Sequence, residues 1–238
     1  MAKLEPLETS AKATSESWQE LADPGTWWAA AERVAMAAEV RAARACALCA
    51  ERKAALSPYS KSDTHGAVGG LSAAVVDAIH RLVTDPGRIT KRWLDDLVST
   101  GLEPEAVVEI VAIVAFISLA DTLDVACGDP ERPLPAPKAG EPSRAREHGL
   151  EVGCAWVPTV DPAKAEGRTK MMYGMIQADA GFVFHVARAL TSVPDAMQTF
   201  FRAFAANYHT HGETKGALSR PQVELLASST SSINECFY

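Results

Sequence analysis

The sequence predicts an all-α fold, a helical bundle. Residues 27–56 form an Ala-rich stretch without a single Gly or Pro, which favours helix. Further along, apolar residues recur at helical spacing between capping residues and Gly or Pro stops, and no strand-like alternation of useful length interrupts them.

Residues 1–22 carry Ser, Thr, Glu and Lys with little apolar period and read as a tail or loosely docked arm. Asp23-Pro24-Gly25-Thr26 supplies turn chemistry and a capping hydroxyl, so one long helix is expected from Trp27 to Leu56, ended by Ser57-Pro58. Leu71 to Val83 repeats at helical spacing and stops at Pro86-Gly87; Thr90 caps a short helix through Val98, closed by Gly101. Pro104 opens a helix to about Ala126 that is apolar nearly all round, the expected buried centre, with Gly128 as its stop. Seven of the chain's 14 prolines lie between Pro130 and Pro162, which marks a wrapping linker. Helical pattern resumes from Met171 to Leu190, restarts at Pro194 and continues to Tyr208, then restarts after Ser219-Arg220-Pro221.

Composition narrows the function classes. With 23 Lys plus Arg against 30 Asp plus Glu, the net charge is −7 and the basic residues are scattered, so nucleic-acid binding is not expected. The apolar run Ile110–Leu119 falls short of the roughly 20 residues of a membrane span, and the polar start lacks a signal-peptide core. A cytoplasmic protein with five reduced cysteines is the expectation. Phosphate loops, dinucleotide fingerprints and paired-carboxylate motifs do not appear, and no cofactor is expected.

Cys46-Ala47-Leu48-Cys49 carries the chemistry. On a helix, positions three apart are neighbours with Cα atoms about 5 Å apart, within disulfide reach. Glu32, Glu39, Cys46 and Lys53 recur every seven residues and would share one stripe of the long helix, which makes Glu39 a proton acceptor for Cys46. Arg52 and Lys53 follow Cys49 and would stabilise its thiolate. Against this stands the habit of Cys to pack as a small buried hydrophobe. His209-Thr210-His211 lacks a third ligand, so no metal site is expected there. His80 and His185 lie in apolar helical patterns as core or groove histidines, either of which could meet a thiol as a relay base. Glu109, inside the most apolar helix, must be paired, protonated, in a cleft or on an interface. Cys127 and Cys154 have no spaced partners, and Trp27-Trp28 is expected to anchor the first helix.

The C-terminal stretch LSRPQVELLASSTSSINECFY resembles the opening of the redox motif of the alkylhydroperoxidase D-like (carboxymuconolactone decarboxylase-like) family, in which a Glu lies twelve positions before a CxxC and a His four after it. Glu224 and Cys236 match that spacing, and HVARALTSVPDAMQTFFRAFAANYH is similar to the helix that leads into the motif. CALCAERKAALSP and the residues from Leu71 to Gly128 resemble the part of the module that follows its CxxC. The resemblance implies two related helical modules, 23–128 and 166–238, joined by the Pro-rich linker 129–165 and preceded by the tail 1–22. It also implies a homo-oligomer whose dithiol reduces a hydroperoxide and is re-reduced by a thiol partner. This chain departs at Lys53, where the family has His, and at Val34, where it has Glu. In the second module the next thiol or selenol and the His would fall past Tyr238, and the chain is expected to continue there.

The leading expectation is a thiol-dependent peroxidase or disulfide oxidoreductase in which Cys49 attacks and Cys46 resolves, or the reverse, with Glu39, Arg52 and Lys53 assisting and Glu224 and Cys236 forming a second site. A helical scaffold with a decayed relay is the second reading, favoured by Lys53 and Val34. A cofactor-free lactone decarboxylase is the third.

Overall fold

The computed structural model describes residues 6–208 and 218–234 and is all-α, with 60% of the described residues in helix. Its helices are α1 Glu8–Glu20, α2 Ala30–Ala43, α3 Ala47–Ala54, α4 Ala73–Thr84, α5 Lys91–Ser99, α6 Pro104–Cys127, α7 Gly167–Ala180, α8 His185–Arg188, α9 Pro194–Asn207 and α10 Arg220–Ile233. Among the described residues the strands are β1 Leu150–Glu151 and β2 Thr159–Val160, one antiparallel pair.

The punctuation residues act as their chemistry dictates. Ser72 and Thr90 hydroxyls accept the backbone N–H groups of Val75 and Trp93, capping α4 and α5. Pro104 and Pro194 occupy first turns, where a missing N–H costs nothing. Gly128 ends α6 at φ +71°, a conformation that favours glycine.

The core is built around α6, packed by α2, α4 and α9. Ile110, Phe116, Ile117 and Ala120 of α6 are buried with Met36, Ala37 and Val40 of α2 and Val75 and Ile79 of α4. Each such large side chain contributes about 1.5–3 kcal/mol on burial. Among the described residues α6 is the helix long and apolar enough to cross a membrane, although its longest uninterrupted apolar run is short; 67% of its most apolar window is buried within the fold, as in a core helix.

Two expectations are corrected. Residues 8–20 form α1, which packs along α9 through small hydroxyls: Ser10 and Ser17 donate to the carbonyls of Ala206 and Thr199 at 2.8 and 2.9 Å, while Trp18 enters the core against Phe116. The long helix from Trp27 to Leu56 is two helices. Helix α2 starts at Ala30, where the Glu32 carboxylate accepts the Ala29 N–H; Thr26 is not its cap. Its last turn tightens as the N–H groups of Arg44, Ala45 and Cys46 bond carbonyls three residues back, and Cys46 then extends at ψ 119° before α3 begins. Tertiary bonds outweigh Ala propensity here: Arg41 and Arg44 both bind Asp121, and the turned α3 delivers Arg52 to a buried network. The seven-residue stripe of Glu32, Glu39, Cys46 and Lys53 is thereby broken.

The Pro-rich stretch wraps the entry to α2. Lys138, Ser143 and Arg144 donate backbone N–H groups to the carbonyls of Ala22, Gly25 and Thr26 at 2.8–3.1 Å. Beneath it lies Glu109, 1% exposed, which pairs with Arg33 and accepts the Trp27 N–H at 2.7 Å. Burial pushes the Glu109 carboxyl up, opposed by the Arg33 guanidinium. A Cβ on Gly25 would fall 1.8 Å from Glu109 Oε1. Glu109→Ala, which strands the Arg33 charge, is expected to cost about 3–5 kcal/mol. Gly25→Ala is expected to cost about 1–3 kcal/mol by overpacking. Urea denaturation checks both, and losses under about 0.5 kcal/mol would contradict this packing.

Candidate functional site: a cysteine–histidine cluster

The break between α2 and α3 creates the site. Cys46 stands at the start of α3 and Cys49 in its first turn, on a face turned toward α4. His80 projects from α4, and His65 comes from the irregular stretch between α3 and α4. That stretch is tied down by the Val68 N–H, donated to Glu39 Oε2 at 3.0 Å, and by Arg52, which donates to the carbonyls of Lys61 and Asp63.

Three sulfur–nitrogen contacts define the cluster. His65 Nδ1 lies 3.4 Å from Cys46 Sγ and 3.8 Å from Cys49 Sγ, and His80 Nδ1 lies 3.2 Å from Cys49 Sγ. The imidazole rings sit 4.0 Å apart between centroids. Behind them, His80 Nε2 meets Glu39 Oε1 at 2.9 Å, and His65 Nε2 meets Asp77 Oδ1 at 3.1 Å and Arg52 Nη1 at 2.8 Å. Arg52 also pairs with Asp77. The Val68 N–H makes the Glu39 carboxyl an acceptor; with His80 Nε2–H donated to its other oxygen, Nδ1 is left bare to accept the Cys49 thiol proton.

Depth separates the two sulfurs. Cys49 is 3% exposed, His80 1% and Glu39 0%, whereas Cys46 is half-buried. Burial pushes the Cys49 thiol up to about 11, contrary to the lowering expected from neighbouring cations; Arg52 opposes the rise weakly. Burial, and then His80, hold His65 below its ordinary value, opposed by Asp77. Asp77 is drawn below the usual carboxylate range by Arg52, against the effect of burial.

The expected site residues divide accordingly. Cys46, Cys49 and Glu39 come together, but Glu39 addresses Cys49 through His80 instead of Cys46. Arg52 binds the far side of His65, and Lys53 is exposed on α3. Glu224, on α10, accepts from the Tyr208 hydroxyl at 3.1 Å and from Arg220 at 2.6 Å. Cys236, His209 and His211 lie outside the described residues. His185 is exposed, and Cys127 is buried at the end of α6. His65 and Asp77 escape a reading of the sequence. His65 lies in a stretch without period, and Asp77 carries only the weak signal of standing one helical turn before His80. The sequence offered no metal-ligand set, yet the fold gathers one candidate set of Cys46, Cys49, His65 and His80.

Comparison of the chain with protein-family models, with curated proteins and with solved structures gave no match.

Proposed function

We propose that the protein is a dithiol–disulfide oxidoreductase that reduces hydroperoxides and is recharged by a thiol reductant. The observation that carries this reading is His80, which joins the buried Cys49 sulfur to the Glu39 carboxylate and so gives a CxxC thiol its own proton acceptor. The alkylhydroperoxidase D-like resemblance implies the same chemistry. Where that family's motif has His and Glu, this chain has Lys53 and Val34, but His80 and Glu39 bring an imidazole and a carboxylate to the thiols from other positions.

Exposure favours Cys46 as the attacking sulfur, the reverse of the order first expected. It is the half-buried thiol, within reach of a peroxide, whereas burial keeps Cys49 protonated at rest. The Cys46 thiolate attacks the peroxide oxygen, the O–O bond breaks, and an alcohol leaves after taking up a proton, which makes a Cys46 sulfenic acid. Cys49 passes its proton to His80 Nδ1 and attacks the Cys46 sulfur; the disulfide forms and hydroxide departs as water with that proton. Two equivalents of thiol then reduce the disulfide. Glu39 is a positioning residue, fixing the tautomer and orientation of His80.

Self-association, implied by the resemblance, is supported by α10: none of its residues is buried in the single chain, and Leu225, Leu226 and Ile233 are exposed.

The test of the function is turnover. Full-length reduced protein with excess dithiothreitol should consume a small organic hydroperoxide catalytically and yield its alcohol stoichiometrically. A rate no higher than that of dithiothreitol alone would refute the assignment.

A further inference from the structure

We propose that Cys46, Cys49, His65 and His80 form a four-coordinate site for a zinc-class divalent cation, held by the reduced dithiol and expelled when the two sulfurs join.

The four side chains offer one donor atom each, and all four donors lie within 4.8 Å of one another. Zinc bound tetrahedrally at about 2.3 Å from sulfur and 2.0–2.1 Å from nitrogen sets neighbouring S and N atoms about 3.6 Å apart. The contacts here are 3.4, 3.8 and 3.2 Å, so an ion could enter with little movement of the donors. Two thiolates and two imidazoles are the donor types that select zinc over magnesium or calcium, and the two thiolate charges balance the cation.

The surrounding groups point the same way independently. Both imidazoles turn Nδ1 inward; His80 Nε2 faces the Glu39 carboxylate at 2.9 Å, and His65 Nε2 faces Asp77 Oδ1 at 3.1 Å with Arg52 Nη1 beside it at 2.8 Å. Such outer carboxylates fix the ring and raise the basicity of the ligating nitrogen in metal sites. Arg52 holds Asp77 in that position.

The release step rests on the oxidoreductase reading. With the cation bound, both sulfurs are occupied and Cys46 is shielded. A hydroperoxide takes two electrons from the two thiolates: the S–S bond forms, the O–O bond breaks, two protons are taken up to give alcohol and water, and the divalent cation leaves because a disulfide sulfur is a poor ligand. Peroxide would thus unload the metal and the thiol reductant would permit reloading.

The experiment uses the reduced, chelator-stripped full chain with Cys127, Cys154 and Cys236 changed to Ser, titrated with Co²⁺ without oxygen. One equivalent should give the intense visible bands of tetrahedral cobalt with a thiolate-to-cobalt charge-transfer band. One equivalent of Zn²⁺ should bleach both, and one equivalent of hydroperoxide should bleach them as the disulfide appears. Asp77→Asn should weaken Zn²⁺ binding about 10- to 100-fold, and Cys46→Ser should alter the charge-transfer band even if its affinity is retained. Only the weak spectrum of hexaaquo cobalt, in a chain whose thiols still titrate, would overturn the site. If that chain also forms its disulfide with peroxide, the oxidoreductase reading survives alone. Tetrahedral cobalt that peroxide does not bleach, in a chain whose metal-free thiols still form the disulfide, would overturn the release step alone; metal-free thiols inert to peroxide would overturn the oxidoreductase reading with it.

Discussion

Without added thiol, Cys49→Ser is expected to consume one equivalent of hydroperoxide per chain and to stop at a sulfenic acid on Cys46, where the parent chain goes on to a disulfide. The sulfenic acid has lost the sulfur held nearest to it, and the buried hydroxyl that this substitution introduces cannot act in its place. Dimedone should then label the chain at Cys46, and a mass measurement reads the adduct. Cys46→Ser should give neither adduct nor peroxide consumption above the background of an isolated thiol, because Cys49 is 3% exposed and burial holds its proton. The asymmetry between the two variants decides the order of events. A dimedone adduct on Cys49 in Cys46→Ser, with none on Cys46 in Cys49→Ser, would restore Cys49 as the attacking sulfur.

His80→Asn carries the second large effect. Removing a positioned proton acceptor typically costs about 10²- to 10⁴-fold in the step that it serves. That step here is resolution, since His80 Nδ1 lies 3.2 Å from the Cys49 sulfur. Rapid-quench sampling after one equivalent of hydroperoxide should show Cys46 sulfenic acid forming at close to the parent rate and disulfide appearing slower by that factor. Glu39→Gln retains an acceptor oxygen for His80 but loses the charge that steadies the imidazolium, so a smaller loss is expected, together with a changed pH profile for resolution. Circular dichroism and a urea midpoint for each variant separate these effects from unfolding, which matters for side chains 1% and 0% exposed. Resolution at the parent rate in His80→Asn would remove the relay from the mechanism.

Much of the helical order was legible because it is written in local chemistry. Thr90, Pro104, Gly128 and Pro194 each mark an end that the structure places within a residue or two. What was not legible was decided at long range. The break at residues 44–46 falls in an Ala-rich stretch with no Gly or Pro, and the bonds of Arg41 and Arg44 to Asp121 are some 80 residues away in sequence. Helix α1 reads as a polar tail because part of its buried face is Ser10, Thr14 and Ser17, and hydroxyls pass as solvent-exposed until the carbonyls that satisfy two of them are seen on α9.

The site divides in the same way. The CxxC declares itself by spacing, and an argument that assumes one straight helix pairs Glu39 with Cys46, whereas the turn into α3 sets His80 between Glu39 and Cys49. His80 is one of two histidines in apolar helical patterns that could meet a thiol, and only the packing of α3 on α4 selects it over His185, which is exposed. His65 comes from a stretch without period, and its place depends on Arg52, Asp77 and the tie from Val68 to Glu39. Lys53, prominent in sequence as the substitute for a family His, is exposed and outside the cluster.

The most direct test of the central claim is the mass of one peptide. Cleavage after Arg44 and Arg52 releases residues 45–52, which contain both thiols and no other cysteine. In reduced chain treated with one equivalent of hydroperoxide, then blocked with an alkylating agent and digested, that peptide should be unalkylated and lighter by two hydrogens, the mark of a Cys46–Cys49 disulfide. Recovery of the peptide doubly alkylated, with the peroxide unconsumed, would contradict the account.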